Sequence, residues 1–298
     1  MPQLAAFPKC FLDDILIHRS MTLFDWIKKA SQLDIDGLEM YFPFFENFDD
    51  SYIEKVVENC HEFGLKIPMM CFSPDFTHPE LKKRLDELDR QKKAIDLTVR
   101  LGGRYCRTLT GQARSNLIHK EAVQWCVEMI REAVAYAADR GIIINIENHY
   151  KDGYWEYPEF ALRSEIFLEI IDQIDSPFFG INFDPSNAIV AGEDPIALLE
   201  RIKERVVTMH ASDRYLEGGM IEDLRKMEHN PVHGYAALIH HGVVGKGLND
   251  YDTIFRILNT TGFDGWVSIE DGMNGMEELH QSVIFLRDKL NTYFGKSL

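Results

Sequence analysis

The chain has 298 residues, of which 45% are hydrophobic and 27% are charged, a composition typical of a folded globular protein. Its 48 acidic residues outnumber its 32 basic residues, and the net charge of -16 argues against nucleic acids and anionic membranes as partners. Its five cysteines have no CxxC spacing, and we find no signal peptide and no apolar run of about 18 residues, so we expect a cytoplasmic protein with reduced thiols.

Short apolar runs alternate with amphipathic segments along the whole chain, which is typical of repeated strand–helix units. We predict strands over residues 3–10, 37–41, 65–72, 104–109, 142–147, 178–184, 206–211 and 266–270. We predict helices over residues 23–33, 51–63, 79–101, 120–140, 158–174, 195–205, 251–261 and 276–293.

Such an alternation fits either a closed (β/α)₈ barrel or an open doubly wound sheet. The dinucleotide-binding pattern GxGxxG does not follow the first predicted strand, and polar residues interrupt the later strands. Strands buried on both faces of an open sheet should be almost uniformly apolar. We therefore predict an α/β protein with one domain over residues 1–298, a (β/α)₈ TIM barrel with a long loop after the seventh strand.

Polar residues recur on one face of the last four predicted strands. In the strand over residues 142–147, alternation sends Asn145, Glu147 and the following His149 to one face and the isoleucines to the other. The same pattern, a small polar residue two positions before an acid or a histidine, recurs in Asn182 with Asp184, Thr208 with His210, and Ser268 with Glu270. Because barrel strands end at one rim, the acids and the histidine should meet there.

Carboxylates and an imidazole crowded at a dry rim would repel one another unless a cation neutralised them. We therefore predict one divalent metal ion held by Glu147, Asp184, His210 and Glu270. The small polar residues two positions earlier would orient these ligands by hydrogen bonds. Each acid taken alone could instead cap a helix or face water. The oxygen-rich ligand set favours Mn²⁺, with Mg²⁺, Co²⁺ or Zn²⁺ as alternatives.

Motifs around these residues resemble the xylose isomerase-like TIM barrels of the sugar phosphate isomerase/epimerase superfamily, and the resemblance spans nearly the whole chain. They are DGLEM around Glu39, INIENH around Glu147, INFDPSN around Asp184, VVTMHASDR around His210, VGKGLNDYDTIF, and GFDGWVSIED around Glu270. The superfamily includes ketose 3-epimerases, inosose dehydratase, lyases of 3-keto-glycosides and endonuclease IV. By this resemblance, the predicted ligands correspond to the Glu, Asp, His, Glu quartet of its sugar-acting members.

The resemblance implies a metal-dependent enzyme that removes a proton α to the carbonyl group of a keto sugar, giving isomerisation or epimerisation. Glu147 and Glu270 would then act as bases on opposite faces of a small carbohydrate substrate. The alternative outcome is β-elimination by a lyase or dehydratase acting on a 3-keto sugar, a 3-keto-glycoside or an inosose, and a third alternative is a non-catalytic sugar-binding barrel. Endonuclease activity is disfavoured because the third and fourth strands lack the extra histidine ligands that endonuclease IV needs.

Four further residues are candidates for the active site. His149 is either a general base or a hydrogen-bond partner of the substrate, and the motif ENHYKDG around it is similar to lyases of 3-keto-glycosides. Glu39 and Arg214 are candidate substrate contacts, with capping and a surface ion pair as the alternatives. Asn187 is also a candidate, and it stands where ketose 3-epimerases usually have a substrate-contacting histidine.

The long loop over residues 212–244 carries four histidines, namely His229, His233, His240 and His241. A loop on this face of a barrel can form a lid, reach a partner subunit or simply extend into solvent. A homo-oligomer or a partner subunit therefore stays open. The turn that follows, Gly245-Lys246-Gly247, could approach a phosphate group or form only a tight turn.

Overall fold

The computed structural model describes residues 1–45, 47–230, 232–271 and 273–295. Its strands are β1 (Gln3–Ala6), β2 (Gly37–Leu38), β3 (Met40–Tyr41), β4 (Met69–Cys71), β5 (Tyr105–Thr108), β6 (Ile143–Glu147), β7 (Phe179–Phe183), β8 (Val206–Ala211), β9 (Asp213–Leu216), β10 (Ile239–Gly242) and β11 (Trp266–Ile269). Nine of them form one sheet in the order β2-β1-β11-β8-β7-β6-β5-β4-β3, and its pairs are parallel.

The sheet closes on itself because β2 and β3 are halves of one strand, separated only by Glu39. β2 pairs with β1 at one end of the sheet, and β3 pairs with β4 at the other. Across the seam, the Leu38 N–H donates to the carbonyl of Lys66 at 2.8 Å. The nine segments thus make a barrel of eight strands, which confirms the predicted fold, and each predicted strand overlaps an observed one.

The helices are α1 (Leu12–Leu16), α2 (Leu23–Ala30), α3 (Asp50–Glu62), α4 (Leu81–Arg100), α5 (His119–Ala138), α6 (Ser164–Ile171), α7 (Pro185–Val190), α8 (Pro195–Ile202), α9 (Ile221–Leu224), α10 (Tyr251–Thr260) and α11 (Met276–Phe294). All eight predicted helices are present with shifted ends. α2 begins with a capping box in which Thr22 and Asp25 satisfy each other's backbone N–H groups. Among the described residues, no helix is both long and apolar enough to cross a bilayer.

One predicted boundary is wrong. Pro158 was expected to begin a helix, but α6 begins only at Ser164. Residues 158–163 precede the helix and bond to other segments of the chain. The Glu159 N–H donates to the Tyr150 carbonyl at 2.8 Å, and Glu159 forms a β-bridge with Gln112. This return of the chain brings Glu159 back to the mouth of the barrel.

The loop predicted after the seventh barrel strand is a folded insertion, with Pro231 outside the described residues. β9 and β10 pair antiparallel, with His241 opposite Arg214. The insertion contacts α7 through a small apolar cluster formed by Ile189, Val190, Leu224, Ala236 and Ile239. The turn after it is organised by Asp213, whose carboxylate accepts the backbone N–H groups of Gly245 and Gly247. These two N–H groups are therefore already bonded within the protein.

The barrel seam gives a stability prediction. A Cβ added at Gly37 would lie 2.6 Å from the Lys66 carbonyl oxygen and 2.9 Å from the Trp266 ring. We expect Gly37→Ala to lower the free energy of unfolding by about 1–3 kcal/mol through overpacking, measured as a shift of the urea unfolding midpoint. Gly153→Ala is the control, because nothing lies within 4 Å of its Cβ position. Equal midpoints for the two variants would contradict the tight seam.

Candidate metal centre and the cavity above it

Four side chains from the strand ends converge in the barrel mouth. Glu147 ends β6, Asp184 follows β7, His210 lies in β8 and Glu270 follows β11. One ligand atom of each lies within 4.8 Å of the others. His210 Nδ1 lies 3.2 Å from Glu147 Oε1 and 2.9 Å from Glu270 Oε2. Only Glu270 retains some exposure, 11% of its side chain.

The charges in this cluster act strongly on one another. Burial alone would lower the pKa of His210, but the carboxylates of Glu39, Glu147 and Glu270 raise it well above its ordinary value. Burial and the repulsion of Glu147 and Glu270 raise the pKa of Asp184 to about 7. The proton on His210 thus supplies positive charge between carboxylates that would otherwise repel one another.

The donor set fits a divalent cation. A metal ion bound to His210 Nδ1 would take over the charge that the proton provides, and it would relieve the repulsion that raises the pKa of Asp184. Asp184 could offer it the carboxylate oxygen that receives none of three hydrogen bonds formed by the described residues. The backbone N–H groups of Ser186 and Asn187 and the hydroxyl of Ser212 all donate to Asp184 Oδ1, and Oδ2 accepts none of these bonds.

Hydrogen bonds from outside the quartet hold these ligands in place. Glu39 lies with both carboxylate oxygens 3.0 Å from His210 Nε2, and its Oε1 also accepts from the thiol of Cys71. Asn187 Nδ2 donates to Glu147 Oε1 at 3.0 Å. Glu39 and Asn187, both predicted to contact substrate, are therefore also bonded to two of the candidate metal ligands, and their contact with substrate stays a prediction. A carboxylate behind a ligating imidazole fixes its tautomer and orientation.

The small polar residues expected to orient the ligands form no hydrogen bonds to them among the described residues, and three of the four bond to one another instead. Asn145 Nδ2 donates to the Thr208 hydroxyl at 2.5 Å, and that hydroxyl donates to Asn182 Oδ1 at 2.8 Å. In the ladder, Asn182 pairs with Glu147 and Ser268 pairs with His210, so these two side chains lie beside ligands of the neighbouring strands. The predicted hydrogen bonds to the ligands are nevertheless absent among the described residues.

Two cations beside Glu147 and Glu270 were missed by sequence reasoning. Arg107 Nη1 donates to Glu147 Oε2 at 2.6 Å, and Lys9 Nζ lies 3.3 Å from Glu270 Oε1. Burial alone would raise the pKa of Glu147, but His210 and Arg107 lower it to about 2. Lys9 and His210 likewise hold the pKa of Glu270 well below its ordinary value against the effect of burial.

A cavity of about 330 Å³ opens above this centre. Glu39, Lys9, Arg107, His149 and Glu270 contribute to its wall. The insertion contributes too, through His233, Tyr235 and His241. The described residues that line the cavity do not include Glu147, Asp184 and His210. Three of the four candidate ligands therefore lie behind the cavity wall.

Comparison with known proteins identifies the family of this chain. The model of the family described as "Xylose isomerase-like TIM barrel" matches residues 27–289. The chain belongs to this family. It is similar to an inosose dehydratase of Clostridium beijerinckii, with 25% identity over 137 residues, 45% of this chain and 42% of that protein. A 3-oxo-isoapionate decarboxylase of Pectobacterium atrosepticum is 23% identical over 214 residues, 72% of this chain and 64% of that protein. The chain thus spans less than half the length of the inosose dehydratase that it matches.

Solved structures share the fold of this xylose isomerase-like barrel over nearly its full length. A D-tagatose 3-epimerase-like protein has a TM-score of 0.76 at 19% identity, covering 98% of both chains. A probable 3-DHS dehydratase, AsbF of Bacillus anthracis, has a TM-score of 0.73 at 19% identity, covering 96% of this chain and 98% of that one. An IolI protein with a bound zinc atom has a TM-score of 0.75 at 15% identity, covering 99% and 100%. At these identities the likeness shows the fold alone.

Within this barrel, the predicted substrate contact Arg214 lies behind the cavity wall. Its guanidinium carbon lies 5.3 Å from the centre of the Tyr150 ring and 4.8 Å from that of the Tyr235 ring. The side chain is buried, and no hydrogen-bond partner is present for its Nε and Nη1 atoms among the described residues. Arg214 therefore packs the insertion onto the aromatic segment after Glu147, and a direct substrate contact stays a prediction.

His149 and Glu159 form a second titratable pair at the cavity. His149 lines the cavity and stacks on Tyr150 with ring centres 5.2 Å apart. Burial lowers the pKa of His149 to about 4, so its imidazole is neutral near pH 7. Burial also raises the pKa of Glu159 to about 8. Glu159 was missed by sequence reasoning because the loop that carries it was read as part of a helix.

The contact between Glu39 and His210 gives a binding prediction. Glu39→Gln replaces the charged acceptor of the His210 Nε2–H group, and we expect roughly ten- to hundred-fold weaker Mn²⁺ affinity, measured by equilibrium dialysis with metal analysis. His210→Ala should abolish binding. Glu200→Gln, at an exposed glutamate of α8, is the control with the same change of charge. Wild-type affinity in Glu39→Gln would show that Glu39 does not act through His210.

Glu159 gives a pH-dependent stability prediction. Its pKa is about 8 in the folded chain against an ordinary 4.5, so between these values the folded chain keeps a proton that the unfolded chain has lost. The contribution of Glu159 to the free energy of unfolding must therefore fall as pH rises through this window, by at most about 1.4 kcal/mol per pH unit. Glu159→Gln removes the titrating group. The urea unfolding midpoint of the variant should rise relative to that of the wild type from about pH 5 to pH 8. Plots of midpoint against pH that stay parallel for the two proteins would contradict the raised pKa.

Proposed function

We propose that this chain is a divalent-metal-dependent enzyme that removes the proton α to the carbonyl group of a keto sugar or keto polyol and eliminates a group from the β carbon. Residues 1–298 would form a single catalytic domain. The observation that carries this proposal is that Glu270 and His149 both line the cavity, whereas Glu147 does not. An elimination needs one base for the α-proton and one group that assists the departing oxygen, and these two side chains could fill the two roles.

Glu147, Asp184, His210 and Glu270 would hold the metal ion, with Mn²⁺ favoured by the three oxygen-donor side chains. When bound, the ion would polarise the substrate carbonyl and make the α-proton acidic. The zinc in the similar IolI structure supports a metal ion on this fold and leaves its identity open.

Glu270 is the proposed base for the α-proton. It reaches the cavity, and its Oε1 is held 3.3 Å from Lys9 Nζ while its Oε2 lies beside His210. The ammonium group of Lys9 keeps this carboxylate ionised, so it is ready to accept a proton near neutral pH. His149 is the candidate contact for the departing oxygen, because its neutral imidazole lines the same cavity.

Epimerisation is the second candidate outcome. It would use Glu147 and Glu270 as bases on opposite faces, and both glutamates do lie beside His210 Nδ1. Glu147 is the less available of the two because Arg107 holds its Oε2 and Asn187 holds its Oε1. The relatives include proteins named for both outcomes, a dehydratase and an epimerase-like protein, so the choice rests on the engaged oxygens of Glu147.

The test is solvent exchange in D₂O with Mn²⁺-loaded protein and a panel of ketoses, inososes and aryl 3-keto-glucosides. We expect deuterium at the α position, together with release of water or of the aryl alcohol. Glu270→Gln should slow both by roughly 10²–10⁴-fold, with its metal content measured in parallel. Glu277→Gln, at an exposed glutamate of α11, is the matched control.

The outcomes separate the proposed reactions. Exchange with inversion at carbon and no loss of a leaving group would make the protein an epimerase. A wild-type protein that binds these sugars without exchange or turnover would contradict enolisation and favour the non-catalytic sugar-binding alternative.

A further inference from the structure

A second cavity, of about 560 Å³, lies beside the cavity above the metal centre, and we call it the outer cavity. The two cavities share Tyr41, Asp152 and Tyr154 in their walls. The hydroxyl of Tyr41 donates to Asp152 Oδ2 at 3.0 Å, and both of these side chains are buried. This bonded pair forms the border between the cavities. A molecule bound in the first cavity would enter the outer cavity by extending past this border.

The wall of the outer cavity contains two adjacent aromatic residues, Tyr154 and Trp155. Tyr154 is 59% exposed, and Trp155 is half-buried. In the described part of the chain, no other ring and no cation stacks on either of them. Their ring faces can therefore pack against a ligand, and the phenol and indole groups can also hydrogen-bond to it. Such a wall suits a sugar ring, which presents C–H groups on its faces and hydroxyl groups at its edge.

The backbone that carries these two rings is held by four consecutive hydrogen bonds. The N–H groups of Tyr154 and Trp155 both donate to Asp152, at 3.0 Å to Oδ1 and at 3.1 Å to the carbonyl. The next two N–H groups along the chain donate to Gln112 Oε1, at 2.9 and 3.1 Å. A binding surface that is already ordered loses less conformational entropy when a ligand binds. The aromatic wall is thus preorganised.

The charged side chains of the outer cavity balance one another. Besides His78, those among the described residues are the acids Asp75, Glu87 and Asp152 and the bases Lys83, Arg90 and Arg114. Arg114 is paired with Asp75, and Arg90 Nη1 lies 2.8 Å from Glu87 Oε1. Recognition of a phosphate or a carboxylate would call for an excess of positive charge, which this wall does not offer. A neutral ligand with many hydroxyl groups fits better, because the wall presents both donors and acceptors.

Ser73 connects the outer cavity to the metal centre. Arg107 Nη2 donates to Ser73 Oγ at 2.9 Å, while Nη1 of the same guanidinium group donates to Glu147 Oε2. Ser73 lines the outer cavity, and Arg107 lines the first cavity. The hydroxyl proton of Ser73 has no acceptor among the described residues, so it can be donated to a ligand. Only one guanidinium group therefore separates the outer cavity from a candidate metal ligand.

We propose that the outer cavity binds the leaving group of the substrate and that this group is a second sugar or polyol ring. The substrate would then be an oxidised glycoside of disaccharide size. This proposal rests on the proposed function and narrows its substrate class, because an inosose or a methyl glycoside has no second ring to place beside Trp155. The volume of the outer cavity lies within the range of small-molecule sites, about 300–1,000 Å³.

The test compares disaccharides oxidised at carbon 3 of the glycosyl ring with methyl 3-keto-glucosides, using the Mn²⁺-loaded full chain. We expect a higher kcat/KM for the disaccharides. In Trp155→Ala the ratio of the two kcat/KM values should fall roughly two- to tenfold, mainly through the KM of the disaccharide, because an aromatic contact is lost. Trp155→Phe keeps a ring and should keep most of the preference.

Trp125→Ala is the matched control, because Trp125 is a half-buried tryptophan of α5 that lines neither cavity. Equal kcat/KM values for the two substrates in the wild type would overturn the proposal, and so would an unchanged ratio in Trp155→Ala. Either result would leave the proposed elimination intact. If the wild type turns over neither substrate, the proposed function is contradicted, and binding then decides whether the outer cavity takes a sugar.

Binding is measured by titration calorimetry with the unoxidised disaccharides cellobiose and maltose. We expect at least one of them to bind the wild type more tightly than it binds Trp155→Ala, with Trp125→Ala similar to the wild type. Inorganic phosphate should not displace the disaccharide. Affinities that are equal in the wild type and Trp155→Ala, or binding that is absent from both, would overturn the proposal. Displacement by phosphate would make the outer cavity an anion site and would overturn it too.

Discussion

The mouth of this barrel is organised by the repulsion between buried carboxylates. Glu147, Asp184 and Glu270 meet where water screens their charges only weakly, and in low dielectric such charges must be balanced. The surroundings supply that balance, with Arg107 and Lys9 each bound to one glutamate and His210 protonated between them. A divalent ion fits because it would provide the same charge without a titrating proton.

Strand alternation made part of this site predictable from sequence. Inward residues of consecutive parallel strands end at one rim, so Glu147, Asp184, His210 and Glu270 could be grouped before their distances were known. The same periodicity correctly turned Asn145 inward. It could not show that this polar layer bonds within itself, with Asn145 donating to Thr208, rather than to the ligands.

Other residues of the site carry no periodic signal. Arg107 lies in β5, whose residues were considered only for the absence of histidine ligands. Lys9 follows β1 and begins a short 3₁₀ helix (Lys9–Phe11), although it was predicted to lie in the first strand. Glu159 reaches the mouth only because its loop folds back onto Gln112. Such long-range returns depend on tertiary contacts, and a proline that suits a helix start gave the wrong boundary for this segment.

The partners of the two glutamates bear on how one metal centre could serve several reactions. Loss of an α-proton leads to the same electron-rich intermediate whether the proton returns on the opposite face or a β group departs. The outcome is then decided by what faces that intermediate. Arg107 and Asn187 engage both oxygens of Glu147, which weakens it as the second base that epimerisation requires. On the other side of the cavity, His149 lies 4.0 Å from the carboxyl group of Glu159, and it is the side chain that would face the departing oxygen in an elimination.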